Sequence, residues 1–200
     1  MTTPVRHRLS TPRAAALAGV LFAVLFATVM VLMRTAMPDG DDARTRVAAI
    51  LMPFAGIAFL WFIGVVRDGF GGFEDKFFST VFIGSGLLFL AMMFAASAAS
   101  MAAAQNNGST ADFARELTLA FAKTYGLRMA AVFMITLATI WLKTSLMPRW
   151  LVVATYLAAV GILVASDVSM WLVLAFPAWV LCVSLLLLTR RAGALATDTA

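Results

Sequence analysis

The sequence predicts an all-α fold: a polytopic bundle of helices in a membrane, with six transmembrane helices. Three observations carry that prediction. The 200 residues are 62% hydrophobic and only 12% charged, with mean hydropathy +0.95, whereas soluble domains carry about 25% charged residues. The apolar residues do not alternate with polar ones. They come in runs near twenty residues, each bounded by charges, and about 20 apolar residues are what a helix needs to cross a hydrocarbon core. A membrane β-barrel would instead show strands of about ten residues with alternating polarity.

The runs can be placed in order. A tail at 1–13 precedes the first span, 14–33. The second span is 47–66. The third, 78–104, is long enough to cross with tilt. The fourth closes cleanly at Leu142 but opens anywhere between 117 and 129. The fifth, 150–165, is short, and the sixth is 169–188. The bundle thus occupies 14–189, and 190–200 forms a second tail. A five-span alternative merges the last two runs or leaves the fifth in the interface, but 150–188 is too long for one crossing. The first run follows Arg6, Arg8 and Arg13, as a signal peptide would. Its apolar stretch exceeds the 7–15 residues of a signal core, and "RTAMP" is a poor cleavage site, so a retained helix is expected.

Basic residues orient the bundle. With the N-terminus in the cytoplasm, Arg6, Arg8, Arg13, Arg67, Lys76, Lys143, Arg149, Arg190 and Arg191 fall inside. Arg34, Arg44, Arg46, Arg115, Lys123 and Arg128 fall outside, the last two at uncertain depth. Nine against six, out of fifteen, places both termini in the cytoplasm by the positive-inside rule. The net charge of +5 is therefore an orienting excess spread over short loops. It is no nucleic-acid footprint, because no basic patch with interleaved aromatics is present.

"RDGFGGFEDKFF" at 67–78 becomes a cytoplasmic elbow between the second and third spans. Arg67 and Lys76 cap the two helices, Phe70, Phe73, Phe77 and Phe78 suit the interface, and Gly69, Gly71 and Gly72 let the chain reverse. Asp68, Glu74 and Asp75 exceed what anchoring requires. They can pair with Lys143 and Arg149 on the neighbouring inner loop, or meet a cation or a basic partner. The candidate functional elbow is thus Arg67, Asp68, Glu74, Asp75 and Lys76.

Catalytic and metal readings fail on inventory. The single His7 lies in the tail and the single Cys182 mid-span, so His and Cys offer no zinc, copper or haem site, and no intramolecular disulfide. "GFGG" at 69–72 lacks the lysine and hydroxyl residue of a phosphate loop. No catalytic, metal or cofactor-binding residue is assigned, no cofactor is expected, and no enzyme activity is expected.

Ionisable residues inside a membrane are costly and often functional, and the fourth span holds them. At about 100° per residue, Asp112, Glu116 and Lys123 share one helix face, while Arg128 points elsewhere. The plain reading starts the helix near Leu117 and lets Lys123 and Arg128 snorkel outward. The functional reading gathers Lys123, Tyr125 and Arg128 into a polar pocket for an anion or lipid headgroup.

In the third span, Ala91, Ala95, Ala98 and Ala102, with Ser97 and Ser100 alongside, form a small-residue stripe suited to close helix packing or self-association. Pro53 and Pro177 are expected to kink the second and sixth spans. Trp61, Trp141, Trp150, Trp171 and Trp179 fall near span ends more often than at centres, as an aromatic belt predicts.

"PFAGIAFLWFIGVVRD" (53–68) followed by "EDKFFSTVFIGSGLLFLAMMF" (74–94) resembles a pattern of small uncharacterised multi-pass membrane proteins of actinobacteria and related bacteria. The resemblance covers about 42 residues. It implies a bacterial inner membrane and no activity, and it directs attention to the elbow. Two functional readings remain open. One is a non-enzymatic accessory or scaffold component that binds another membrane protein. The other is a small-solute or lipid transporter using the basic residues of the fourth span.

Overall fold

The computed structural model describes residues 11–39, 42–69, 76–165 and 170–197. Among the described residues the chain is helical throughout, with short connections and no strand. Helix α1 is Thr11–Asp39, α2 is Asp42–Asp68 and α3 is Lys76–Gln105. The fourth crossing is composite: α4 (Ser109–Leu119), a π-helical segment (Ala120–Gly126) and α5 (Leu127–Thr144) run on without a loop. Helix α6 is Arg149–Ala165. A 3₁₀ turn, Met170–Leu174, leads into α7, Ala175–Thr197.

Five of these rods are long and apolar enough to cross a membrane, and α6, at 17 residues, is shorter. At about 1.5 Å per residue α6 spans about 25 Å, somewhat less than a hydrocarbon core of about 30 Å. The chain is a multi-pass membrane protein built as a six-helix bundle. Successive crossings alternate in direction, so the two termini, the elbow and the α5–α6 connection share one end. The α3–α4 turn lies at the other.

Helix α1 packs most extensively on α2 and also on α7. Helix α3 touches α2, α4, the π segment and α5, and α6 leans mainly on α5. The centre is aromatic. Phe22 and Phe26 of α1, Phe59 and Phe62 of α2, Phe82 and Phe89 of α3, Phe133 of α5 and Phe176 of α7 are all fully buried. Phe59 is the hub, with ring centroids 4.6 Å from Phe22, 5.3 Å from Phe133, 5.6 Å from Phe89 and 5.7 Å from Phe176. Lipid tails are as apolar as these rings, so water exclusion does not drive the helices together. Close van der Waals packing does, and each well-placed ring pair adds about 0.5–1.5 kcal/mol.

Small residues set the approach of α1 to α7. A Cβ on Gly19 would strike Ser184 Oγ and come within 2.8 Å of the Phe62 ring. Ser184 Oγ is buried without a hydrogen-bond partner. Elsewhere the hydroxyls serve the backbone: Ser85, Thr118, Thr136, Thr139 and Thr144 donate to carbonyls four residues earlier. Such bonds let a polar side chain sit in an apolar medium. Helix α6 is pinned by two more. Trp179 Nε1–H donates to Thr155 Oγ1 at 3.0 Å. Thr139 Oγ1 lies 2.7 Å from the Tyr156 hydroxyl. Thr139 spends its one proton on the Ile135 carbonyl, so Tyr156 is the donor in that contact.

Several sequence expectations need correction. The helix of the fourth crossing begins at Ser109, two turns before Leu117. Pro177 is the third residue of α7. It stands in the first turn, where a missing N–H costs nothing, and the 3₁₀ turn ends just before α7 begins. Pro53 lies within a helix that continues through it. Trp141 and Trp179 are buried against each other, with centroids 6.2 Å apart. The belt is left to Trp61, Trp150 and Trp171, which are exposed. Cys182 is exposed on α7. In the third span, Ala91, Ala98 and Ala102 are exposed and Ala95 half-buried. The buried line is its neighbour: Ala96, Ala99, Ser100 and Ala103. Both lines obey helical spacing, and only the position of α4 decides which one is covered.

Candidate functional site

At the elbow, Arg67, Asp68 and Lys76 are exposed. Glu74 and Asp75 lie outside the described residues, as do Phe70, Phe73, Gly71 and Gly72. Among the described residues Asp68 makes no ion pair with Lys143 or Arg149. Lys143 places Nζ 4.1 Å from the centroid of the Phe78 ring. That cation–π contact ties the last turn of α5 to the first turn of α3, the two elements the predicted ion pair was expected to join. Phe77 is 68% exposed beside it.

The second candidate lies in the π segment. A π turn bonds i to i−5 and is rare outside functional or re-phased helices. Here Leu127 N–H reaches the Ala122 carbonyl, an i→i−5 bond. The packing explains it. Ala111, Ala114 and Thr118 are the buried face of α4, and Leu127, Ala130, Met134 and Leu137 belong to that of α5. In one uninterrupted α-helix these faces would point about 150° apart. The wide turn absorbs one extra residue, about 100° of phase, and so lets both faces address α3. Gly126 suits this approach, since a Cβ there would oblige the flexible tip of Met93 on α3 to shift.

The same turn re-sorts the polar residues. In an α-helix, Lys123 and Arg128 would diverge by about 140°. Residues five apart across an i→i+5 turn come toward the same side. Both are half-buried, whereas Tyr125 is 54% exposed. Arg128 Nη1 donates to the Thr124 carbonyl at 2.6 Å, which folds the guanidinium back toward the α4 end. Of the acids predicted to share the face of Lys123, Asp112 holds Arg115 at 2.9 Å in an exposed pair and Glu116 is exposed. Sequence reasoning missed the π turn. Its signal was present as a phase slip between the small residues of 111–118 and the apolar residues of 127–137.

Two hollows border this region. A crevice between α1, α3, the composite crossing and the start of α7 is lined by Met30, Met33, Arg34, Ala96, Thr118 and Trp171, among others. It holds about 20 Å³ of space wide enough for water. That is room for about one molecule. Arg34 caps it, 5.8 Å from the centroid of the Trp171 ring. Lys123, Tyr125 and Arg128 do not line it. A wider groove of about 220 Å³ lies between α2 and α3, lined by Pro53, Phe94, Ser97 and Ala98 with their neighbours. Among the described residues no three His, Cys, Asp or Glu side chains cluster as metal ligands would.

No protein-family model, no curated protein and no solved structure matches the chain.

Proposed function

We propose that the chain is a non-enzymatic accessory or scaffold component of a bacterial inner membrane, with both termini cytoplasmic and the elbow at 67–78 as its contact with a partner. One observation carries this reading: the centre of the bundle is filled by eight fully buried phenylalanines. A permease places its site near the bilayer midplane, where broken helices expose backbone to a polar path. Here the centre of the bundle is packed with aromatic rings. The nine basic residues on the termini side, against four in the opposite loops once Lys123 and Arg128 are set within the crossing, support the orientation. The resemblance of residues 53–94 supports the bacterial inner membrane.

The second reading is a small-solute or lipid transporter, and the π turn beside Lys123 and Arg128 favours it. Native mass spectrometry of protein released from its own membrane, paired with solute uptake into proteoliposomes, separates the two. A stoichiometric complex with another membrane protein, lost on charge reversal at Asp68, Glu74 and Asp75, is expected. A monomer or homodimer that moves an anion across the bilayer would replace the scaffold reading with the transporter. Fusions of a cytoplasm-active or periplasm-active reporter to the C-terminus check the orientation.

A further inference from the structure

We propose that the groove between α2 and α3 binds the hydroxyl of an uncharged membrane lipid, an alcohol such as a diacylglycerol. This goes beyond both functional readings and holds under either. Ala49, Pro53, Phe94, Ser97 and Ala98 are among the residues that line the groove. Two of them bring polar groups that lack their usual partner.

The first is the Ser97 hydroxyl. Ser97 is only 7% exposed and lines the groove. The hydroxyls of Ser85, Thr118 and Thr136 donate to carbonyls four residues earlier. Ser97 is the exception: among the described residues its hydroxyl has no hydrogen-bond partner. A polar group left so in apolar surroundings is costly.

The second is the Ala49 carbonyl. In a regular helix it accepts from the N–H of residue 53, and Pro53 has none. Helix α2 nevertheless continues through Pro53. The carbonyl four residues before a proline lies under the proline ring, on the same helix face, and Ala49 and Pro53 both line the groove. A serine on a neighbouring helix often re-satisfies such a carbonyl. Ser97 is the hydroxyl at hand, and it makes no such bond.

Shape and chemistry select the occupant. A Cβ on Gly56 would strike the Phe94 ring, so that ring bridges α3 to α2 one turn beyond Pro53. The groove, about 220 Å³, is far roomier than one water needs. Ile50, Phe54 and Ile57 of α2 are exposed, an apolar flank that suits hydrocarbon chains. No lining residue is charged, so a phosphate or ammonium headgroup would go unmatched. A hydroxyl both donates and accepts. It can give its proton to the Ala49 carbonyl and take that of Ser97. A ketone or ester only accepts and would leave Ala49 unpaired.

The test is native mass spectrometry of the full chain in a non-ionic detergent, titrated with dioleoylglycerol and with the methyl ether of its free hydroxyl. The ether keeps the acceptor and loses the donor. The wild type should retain the alcohol about 3-fold better than the ether, the worth of one hydrogen bond in a membrane. Pro53→Ala, which returns an N–H to the Ala49 carbonyl, should abolish that discrimination. Ser97→Ala should weaken both ligands about 3-fold and keep the discrimination. Ser100→Ala, at a second buried serine of α3, should change neither. If Pro53→Ala does not purify as folded protein, Ser97→Ala alone gives the reading. Equal retention of alcohol and ether by the wild type would overturn the site. So would undiminished discrimination in Pro53→Ala, or undiminished binding in Ser97→Ala. A homodimer that retains no alcohol and dissociates on Ala98→Leu would overturn it too, by seating a second copy in the groove.

Discussion

At the middle of the bundle eight phenylalanine rings from five helices fill the space between backbones. At the α3–α4 end Ala96, Ala99, Ser100 and Ala103 face a partner whose buried residues are Ala111, Ala114 and Thr118. Both solutions answer the same problem: helices in lipid gain little from hiding apolar surface and must gain from contact. Large rings hold helices apart and fill the gap, which gives dense packing among many helices at once. Small residues close the gap, which gives close packing of one pair. The aromatic centre suits a fixed hub. The small-residue end lets α4 lie flat on α3, and it obliges the chain to re-phase at the π turn before α5 joins the hub.

The sharpest way to break this contrast is at its hub. Phe59→Ala removes a ring that touches four other aromatic rings within 6 Å, and should cost about 3–5 kcal/mol in denaturant or thermal unfolding in detergent. A loss below 1 kcal/mol would mean that the centre is loosely packed.

Next comes the approach of α1 to α7. Gly19→Ala should cost about 1–3 kcal/mol by overpacking against Ser184 and Phe62. Ser184→Ala should be neutral or stabilising, because it removes a buried hydroxyl that has no partner. The double variant should recover much of the glycine's loss, and strict additivity would show that the two residues do not meet.

At the small-residue end, Ala99→Leu should cost about 1–3 kcal/mol, with its damage confined to that end. A cysteine at Ala114, buried in the parent, should become reactive to a water-soluble maleimide. Equal loss of protection at the Phe59 hub would erase the distinction between the two regions.

The smallest effect belongs to α6. Trp179→Phe keeps the ring at the hub and deletes the hydrogen bond to Thr155, for about 0.5–1.5 kcal/mol. Proteolysis or hydrogen exchange should report looser α6 without loss of the remaining bundle.

The outline of the bundle was legible because membrane insertion is a local demand. Every span must carry its own apolar length and satisfy its own backbone, so runs such as 47–66 and 78–104 announce themselves within α2 and α3. The candidate site was half legible. Lys123 and Arg128 were visible as charges in an apolar context, but their relation was not, because angular arithmetic assumed an α-helix where the chain forms a π turn. The elbow pairing was read as charge meeting charge. Glu74 and Asp75 lie outside the described residues. The contact of Lys143 with Phe78 was not legible, because an aromatic partner leaves no complementary charge in the sequence to match.

By itself, then, the sequence determined the class, the crossings and the loops that share a side, since each rests on composition and run length. Only the tertiary structure decided which of two alanine lines on α3 is covered, that Trp141 and Trp179 belong to the core, and that the fourth crossing is re-phased at 120–126. These depend on where a second helix lies. A helix face has no preference of its own among equally apolar neighbours, and in lipid the choice is made by the fit of side chains between backbones.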